Sequence, residues 1–229
     1  MLLDTSIHCL KMLSILTLIL IVPSTYAEQW PKGTFTLVKS NAGCPSGWAE
    51  GWRYQDNEDK KNDNFITYDH HFYGSFGVNM EFHYCTKDEN TILGNETWPK
   101  GNYCILRQGL SCPSVGFETG SIYWDDEDDD NGNTLDGVLP SGSYDRNTFI
   151  DYCCRSDGSD KIGIILPTSQ SFYLLRFTSQ CQQVQGMFVR EESVETDDED
   201  KNNENKVSGS HPLNDGGKNN RLYYCYYYT

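Results

Sequence analysis

Asp56, Glu58, Asp59, Asn62 and Asn64 fall on the pattern D-x-E-D-x-x-N-x-N. The same pattern returns at Asp125, Glu127, Asp128, Asn131 and Asn133, and again at Asp197, Glu199, Asp200, Asn203 and Asn205. Carboxylates and amide carbonyls are hard oxygen ligands, of which calcium takes roughly six to eight. Each copy is therefore a candidate calcium loop, because acids crowded into one segment repel one another unless a cation or solvent separates them. The spacing is not that of an EF-hand, since the invariant glycine and the distal glutamate are missing. The competing reading is a turn in which Asp and Asn side chains accept hydrogen bonds from backbone N–H groups. Both readings allow the motif to recur, and both stay open here.

Other residues could bind or react. Sugars and wall peptides are held by flat aromatic faces with a few oriented polar groups. Trp52, Trp124 and the terminal tyrosines Tyr226, Tyr227 and Tyr228 lie beside Asp- and Asn-rich segments and are the candidate ligand-binding residues. Around Cys225 the tyrosines alternate in strand fashion, so one set is expected to face outward. Trp48 and Trp98 recur at repeat positions and read as core. Catalysis is poorly supplied. The abundant acids lie in hydrophilic runs such as 125–130 and 191–200, where solvent keeps carboxylates ionised and creates no general acid. No nucleophile motif accompanies the serines, and the chain is expected not to be an enzyme.

The elements that would carry these residues are repeated. The three acidic motifs begin 69 and 72 residues apart. Upstream stand Trp30-Pro31-Lys32-Gly33, Trp98-Pro99-Lys100-Gly101 and Leu166-Pro167-Thr168, each followed by Cys44, Cys112 or Cys181. Downstream, aromatic or apolar runs end at Cys85, at Cys153-Cys154 and at Cys225. The chain is thus three divergent copies of a unit of about 68 residues, near 30–97, 98–165 and 166–229. Short β-branched and aromatic stretches, interrupted by Gly, Pro, Asn and Asp, predict strands and no useful helix. An all-β domain in which three units share one core about a pseudo-threefold axis is expected. Phe35, Leu37, Trp48, Phe82, Tyr103, Ile105, Phe117, Ile150, Leu174, Val184 and Tyr224 are its predicted core.

Residues 1–27 read as a signal peptide: Lys11 precedes an apolar run from Met12 to Val22 that ends in small residues at Ala27. The run is shorter than the roughly 20 residues a membrane span needs. Its removal takes away Cys9 and leaves eight cysteines for residues 28–229, the even count of a disulfide framework in a secreted protein. If each unit closes itself alike, Cys44 joins Cys85, Cys112 joins Cys153 or Cys154, and Cys181 joins Cys225, leaving Cys104 for the remaining half of the pair. The formal charge of −15 argues against nucleic acid or anionic lipid as partners. Asn95-Glu96-Thr97 is the one N-glycosylation sequon.

The runs Gly43-Cys44-Pro45-Ser46-Gly47-Trp48, Trp98-Pro99-Lys100-Gly101-Asn102-Tyr103-Cys104-Ile105, Trp124-Asp125-Asp126-Glu127-Asp128, Tyr152-Cys153-Cys154-Arg155-Ser156-Asp157-Gly158 and Gln182-Gln183-Val184-Gln185-Gly186-Met187 resemble the C-terminal domain of the apextrin family. The resemblance runs from Trp30 to about Tyr227. It implies a secreted protein that recognises microbial cell walls, including peptidoglycan and muramyl dipeptide, and agglutinates bacteria. It also admits a matrix or secretory-granule role without a microbial ligand. Some relatives carry a perforin-like domain ahead of this one, for which no room is expected before Trp30. Architecturally, three Cys-to-Cys units are similar to the vitelline membrane outer layer protein, which implies a β-prism. Homo-oligomers would add avidity on a repetitive wall.

Overall fold

The structure is a computed structural model that describes residues 29–88, 97–127, 130–199 and 201–229. The expected signal peptide, Cys9 and Asn95 of the sequon lie outside the described residues. The fold is all-β: no helix occurs among the described residues, and fourteen strands form one open antiparallel sheet.

Taking as units the three segments expected from the sequence, near 30–97, 98–165 and 166–229, the first supplies β1 (Phe35–Val38), β2 (Ala49–Gln55), β3 (Phe65–Ile66), β4 (Gly74–Phe76) and β5 (Met80–Lys87). The second supplies β6 (Asn102–Arg107), β7 (Glu118–Trp124), β8 (Thr134–Gly137), β9 (Gly142–Tyr144) and β10 (Thr148–Ser156). The third supplies β11 (Phe172–Arg176), β12 (Phe188–Thr196), β13 (Lys206–Gly209) and β14 (Asn220–Tyr228). In each unit the closing strand lies between its own first two: β5 between β1 and β2, β10 between β6 and β7, β14 between β11 and β12. The short strand after each acidic motif leaves its unit. β3 pairs with β12, β8 with β2 and β13 with β7. The first strands join the units from the other side, β1 to β6 and β6 to β11.

Alternation along the long strands separates core from surface. On β2 Arg53 and Gln55 are buried while Glu50, Trp52 and Tyr54 point the other way, and on β5 Met80, Phe82 and Tyr84 are buried between Glu81 and His83. One apolar cluster gathers Met80, Phe82, Ile122, Ile150, Tyr152 and Tyr224. A second gathers Phe35, Leu37, Tyr103, Ile105, Leu174, Val184 and Tyr227. Nine of the eleven predicted core residues are buried, and Trp48 and Phe117 pack half-covered at the edge of the second cluster.

Four disulfides staple these strands: Cys44–Cys85, Cys112–Cys153, Cys181–Cys225 and Cys104–Cys154. The first three close the units alike, across 41, 41 and 44 residues. The fourth ties β6 to its neighbour β10 inside the second unit.

One register position shows how tightly the crossing strands pack. Gly51 on β2 and Gly120 on β7 face Tyr84 and Tyr152, and a Cβ on them would stand 2.3 Å from the Val138 carbonyl oxygen and 2.2 Å from that of Ser210. The matching residue of β12, opposite Tyr224, is Glu192. It is fully buried, accepts from Tyr173 Oη at 2.6 Å and stands 2.6 Å from His71 Nδ1. Where the other two pairings have a glycine, the third thus has a buried carboxylate hydrogen-bonded to Tyr173 and to His71 of the crossing segment.

Candidate functional site

The three acidic motifs meet, and most of their side chains serve one another's backbones. Glu127 N–H donates to the Asp56 carbonyl at 3.3 Å, Glu199 N–H to Asp125 at 2.8 Å and Glu58 N–H to Asp197 at 3.0 Å. The Asp56 carboxylate accepts from Gly132 N–H, that of Asp125 from Glu204 N–H and that of Asp197 from Asp63 N–H, at 2.6, 2.8 and 2.8 Å. Asn133, Asn205 and Asn64 return the contact, accepting the N–H groups of Asp56, Asp125 and Asp197 at 2.7, 2.8 and 2.6 Å. Asn62, Asn131 and Asn203 close their own loops by donating to the carbonyls of Glu58, Glu127 and Glu199. This is the hydrogen-bonded turn, with the addition that each turn clasps its neighbours.

As ligands for three separate calcium ions these residues are badly placed. Three of the five in each motif are engaged as above, Asp59 is exposed, and Asp128 and Asp200 lie outside the described residues. Among the described residues only Glu58, Glu127 and Glu199 converge, with one carboxylate oxygen of each lying within 4.8 Å of the others. Their further oxygens are partly engaged, Glu58 with Lys60 N–H, Glu127 with Asp59 N–H and Glu199 with Lys201 N–H. Three oxygens are half of calcium's usual minimum, so the arrangement fits at most one ion that keeps several waters.

Beneath the turns lies a buried polar layer from the second motif residues, Asn57, Asp126 and Asp198, each with no exposed surface. Burial pushes the Asp126 carboxyl up to about 6, although Thr148, Asn133 and Gln55 donate to it. Burial, with the neighbouring Asp126, pushes Asp198 well above the carboxylate range. A carboxyl of that kind could act as a general acid if substrate could reach it. Asp126 is sealed under Gln55 and Arg53, whose guanidinium donates to Gln55 Oε1 at 2.6 Å.

The proposed aromatic ligands divide sharply. Trp124 is 3% exposed, packs in the first core cluster and lies under Arg53, so it presents no surface. Tyr226 and Tyr227 are buried as well. No continuous outward tyrosine row forms: from Tyr224 to Tyr227 both faces of β14 are covered, while Tyr223 is half-buried on the outer face. Tyr226 stacks on His71 at 4.1 Å, and Tyr227 stacks on Phe172 and donates to the Gln182 carbonyl at 2.6 Å. Tyr228, at the end of the strand, is the one of the three that reaches solvent.

Trp52 lies on the surface of the sheet. It stands opposite His83 on β5 and opposite Asp136 on β8, so a row of three side chains crosses three strands of one face. With Lys39, Glu50 and Tyr73 these residues line an open cleft of about 210 Å³. Tyr73 meets His83 edge to face at 4.8 Å, and Lys39 Nζ lies 4.1 Å above the Tyr73 ring while pairing with Glu50 at 2.6 Å. The corresponding row of the second unit is Asp151, Ser121 and Ser208. In the third it is Tyr223 and Ser193, with Thr67 hydrogen-bonded to Ser193. Among these three rows only the first carries a tryptophan, Trp52; the β7 and β12 positions hold Ser121 and Ser193.

Sequence reasoning picked Trp52 and missed Lys39, Glu50, Tyr73, His83 and Asp136. His83 was recoverable, because it stands two before the closing cysteine where the other units have Asp151 and Tyr223. Asp136 was not, since it belongs to the second unit and reaches Trp52 only through the β8 crossover. A larger cleft of about 700 Å³ collects Pro31, Pro99, Pro167, Ile162 and Ile165. It borders Gln29 and Thr97, which adjoin residues outside the described set.

Residues 30–227 match the family described as the C-terminal domain of apextrin. No curated protein and no solved structure matches the chain.

Proposed function

The chain belongs to the family of apextrin C-terminal domains, and from that premise we propose that it is a secreted, non-enzymatic recognition protein that binds microbial cell-wall glycans such as peptidoglycan. The observation that carries this reading is the Trp52 row, a flat aromatic face flanked by Asp136 and His83 on a rigid sheet. Aromatic faces beside a few oriented polar groups are how proteins hold saccharides. Four disulfides support an extracellular site of action, and no helix among the described residues is long and apolar enough to cross a membrane. The family and the cleft support a role in innate immune recognition and agglutination. Cross-linking of bacteria through the Trp52 cleft would use a homo-oligomer, which presents several copies of it.

The architecture we propose is a disulfide-stapled β-prism about a pseudo-threefold axis. Its support is that the crossover pairings of β3, β8 and β13, the three disulfides Cys44–Cys85, Cys112–Cys153 and Cys181–Cys225, and the contacts among the acidic turns recur. If calcium takes part, it binds once, at Glu58, Glu127 and Glu199, and stabilises the clasp of the three turns.

Depletion of the disulfide-intact chain by insoluble peptidoglycan, with calcium or with chelator, tests the reading. Saturable depletion that Trp52→Ala weakens by about tenfold or more supports it. An absence of depletion under both conditions rejects it in favour of a structural matrix or secretory-granule protein. An unchanged melting temperature between calcium and chelator removes the ion.

A further inference from the structure

The Trp52 cleft is rich in acceptors and short of free cations. Lys39 Nζ is held 2.6 Å from Glu50 Oε2 and against the Tyr73 ring, and His83 Nε2 stands 2.7 Å from Glu81 Oε1. Both nitrogen-bearing side chains thus face carboxylates of their own sheet. Asp136, on the other side of Trp52, accepts only the adjacent Gly137 N–H at 2.8 Å and has no ion pair among the described residues. The Glu50 side chain is 54% exposed and uses one oxygen on Lys39. The cleft, at about 210 Å³, falls below the roughly 300–1,000 Å³ of pockets for drug-sized ligands. It suits one ring, not a chain.

We infer that this cleft takes one saccharide ring that is neutral or carries an amine, and turns away rings that carry a carboxylate or a sulfate. The inference rests on the recognition reading and supplies its ligand class. The ring lies on Trp52 while its hydroxyls, or an ammonium group, donate to Asp136 and Glu50. An incoming carboxylate would meet the unpaired Asp136 and a Lys39 already held by Glu50, on a chain of formal charge −15. Like-charge juxtaposition in a partly desolvated cleft disfavours such a ligand more than it could on open surface.

The test titrates the disulfide-intact chain, by calorimetry and tryptophan fluorescence, with short oligomers of N-acetylglucosamine, of glucosamine and of galacturonic acid. The neutral and amine-bearing oligomers are expected to bind, with the uronate at least about tenfold weaker. Asp136→Lys, at an exposed position on β8, should reverse the order of the glucosamine and galacturonic oligomers and change the N-acetylglucosamine oligomer less. Uronate binding as tight as the neutral probe, or an order untouched by Asp136→Lys, overturns the inference. So does wall binding that persists in Trp52→Ala with no affinity for any probe, although the recognition reading then stands. Failure to bind either wall or probes overturns both.

Discussion

Replacing Gly51 by alanine should destabilise the protein and damage the cleft together. The new Cβ would lie 2.3 Å from the Val138 carbonyl oxygen and 2.6 Å from its carbon and nitrogen. Non-bonded carbon contacts settle near 3.5 to 4.0 Å, so the chain after β8 would have to withdraw by about 1 Å. Overpacking of this kind costs about 1–3 kcal/mol. The Val138 N–H to Glu50 carbonyl hydrogen bond, 2.9 Å long, lies in the path of the movement, and its loss adds about 1 kcal/mol. The sum is about 2–4 kcal/mol, read as a lower urea midpoint at unchanged slope. Gly47→Ala is the control, since nothing lies within 4 Å of it and only its φ of +81° penalises a side chain, by about 1–2 kcal/mol. Because β8 also carries Asp136, Gly51→Ala should weaken ring binding under conditions where the protein remains folded, whereas Gly47→Ala should not. A Gly51→Ala protein no less stable than the Gly47→Ala control would refute the reasoning that β8 is seated against β2 without spare room.

Three further outcomes are expected. Tyr227→Phe removes a buried hydroxyl that donates to the Gln182 carbonyl at 2.6 Å, so stability should fall by about 1 kcal/mol while peptidoglycan binding stays unchanged; lost binding at full stability would return the terminal tyrosines to the ligand site. Converting Cys104 and Cys154 together to serine opens a link that, with Cys112–Cys153 in place, closes a path of only about 10 residues, and should cost about 3 kcal/mol by chain entropy, with the other three bridges intact on non-reducing peptide mapping; reshuffled bridges would contradict the pairing. Hydrogen bonds from Arg155 hold the Asp157 carboxyl below its ordinary value, so its contribution is present above about pH 4 and is lost as pH falls through the depressed folded value. Asp157→Asn should therefore flatten the acid limb of stability against pH, and an identical limb in both proteins would show that the pair contributes nothing.

Much of the framework was legible because it is repeated. Three copies of one acidic pattern, with cysteines at matching offsets, pointed to three units and to Cys44–Cys85 and Cys181–Cys225 before any coordinates. Which of Cys153 and Cys154 joins Cys112 was not legible, because adjacent residues differ in the strand face they occupy and Cys104 has no counterpart at Phe35–Val38 or Phe172–Arg176; the structure pairs Cys112 with Cys153 and Cys104 with Cys154. Burial was harder to read. The β14 tyrosines alternate as a surface strand would, yet tyrosine can be buried on either face when its hydroxyl finds a partner, as Tyr227 does at Gln182. A period of two says that the faces differ, and says nothing about whether a neighbouring strand covers each. Trp124 was misplaced for a related reason. It sits beside an acidic run that looks solvated, but as the last residue of β7 it packs in the first core cluster under Arg53, and Asp126, two residues on, is itself buried.

The same repetition hid the cleft. Matching positions invite the assumption of matching roles, which would give three binding sites in one chain. Across the β2, β7 and β12 rows the residues are Trp52, Ser121 and Ser193, and their partners on the closing strands are His83, Asp151 and Tyr223. The backbone pairings recur while the outward side chains do not. Core and turn positions are constrained by the shared packing of all three units, so they stay alike, whereas a residue on the outer face answers only to whatever it meets in solution. Divergence at that outward position, with Trp52 in the first row and serines in the other two, is what marks the proposed binding surface. The strand crossover completes it by placing Asp136 of the second unit beside Trp52 of the first, so the site exists only when the units fold together.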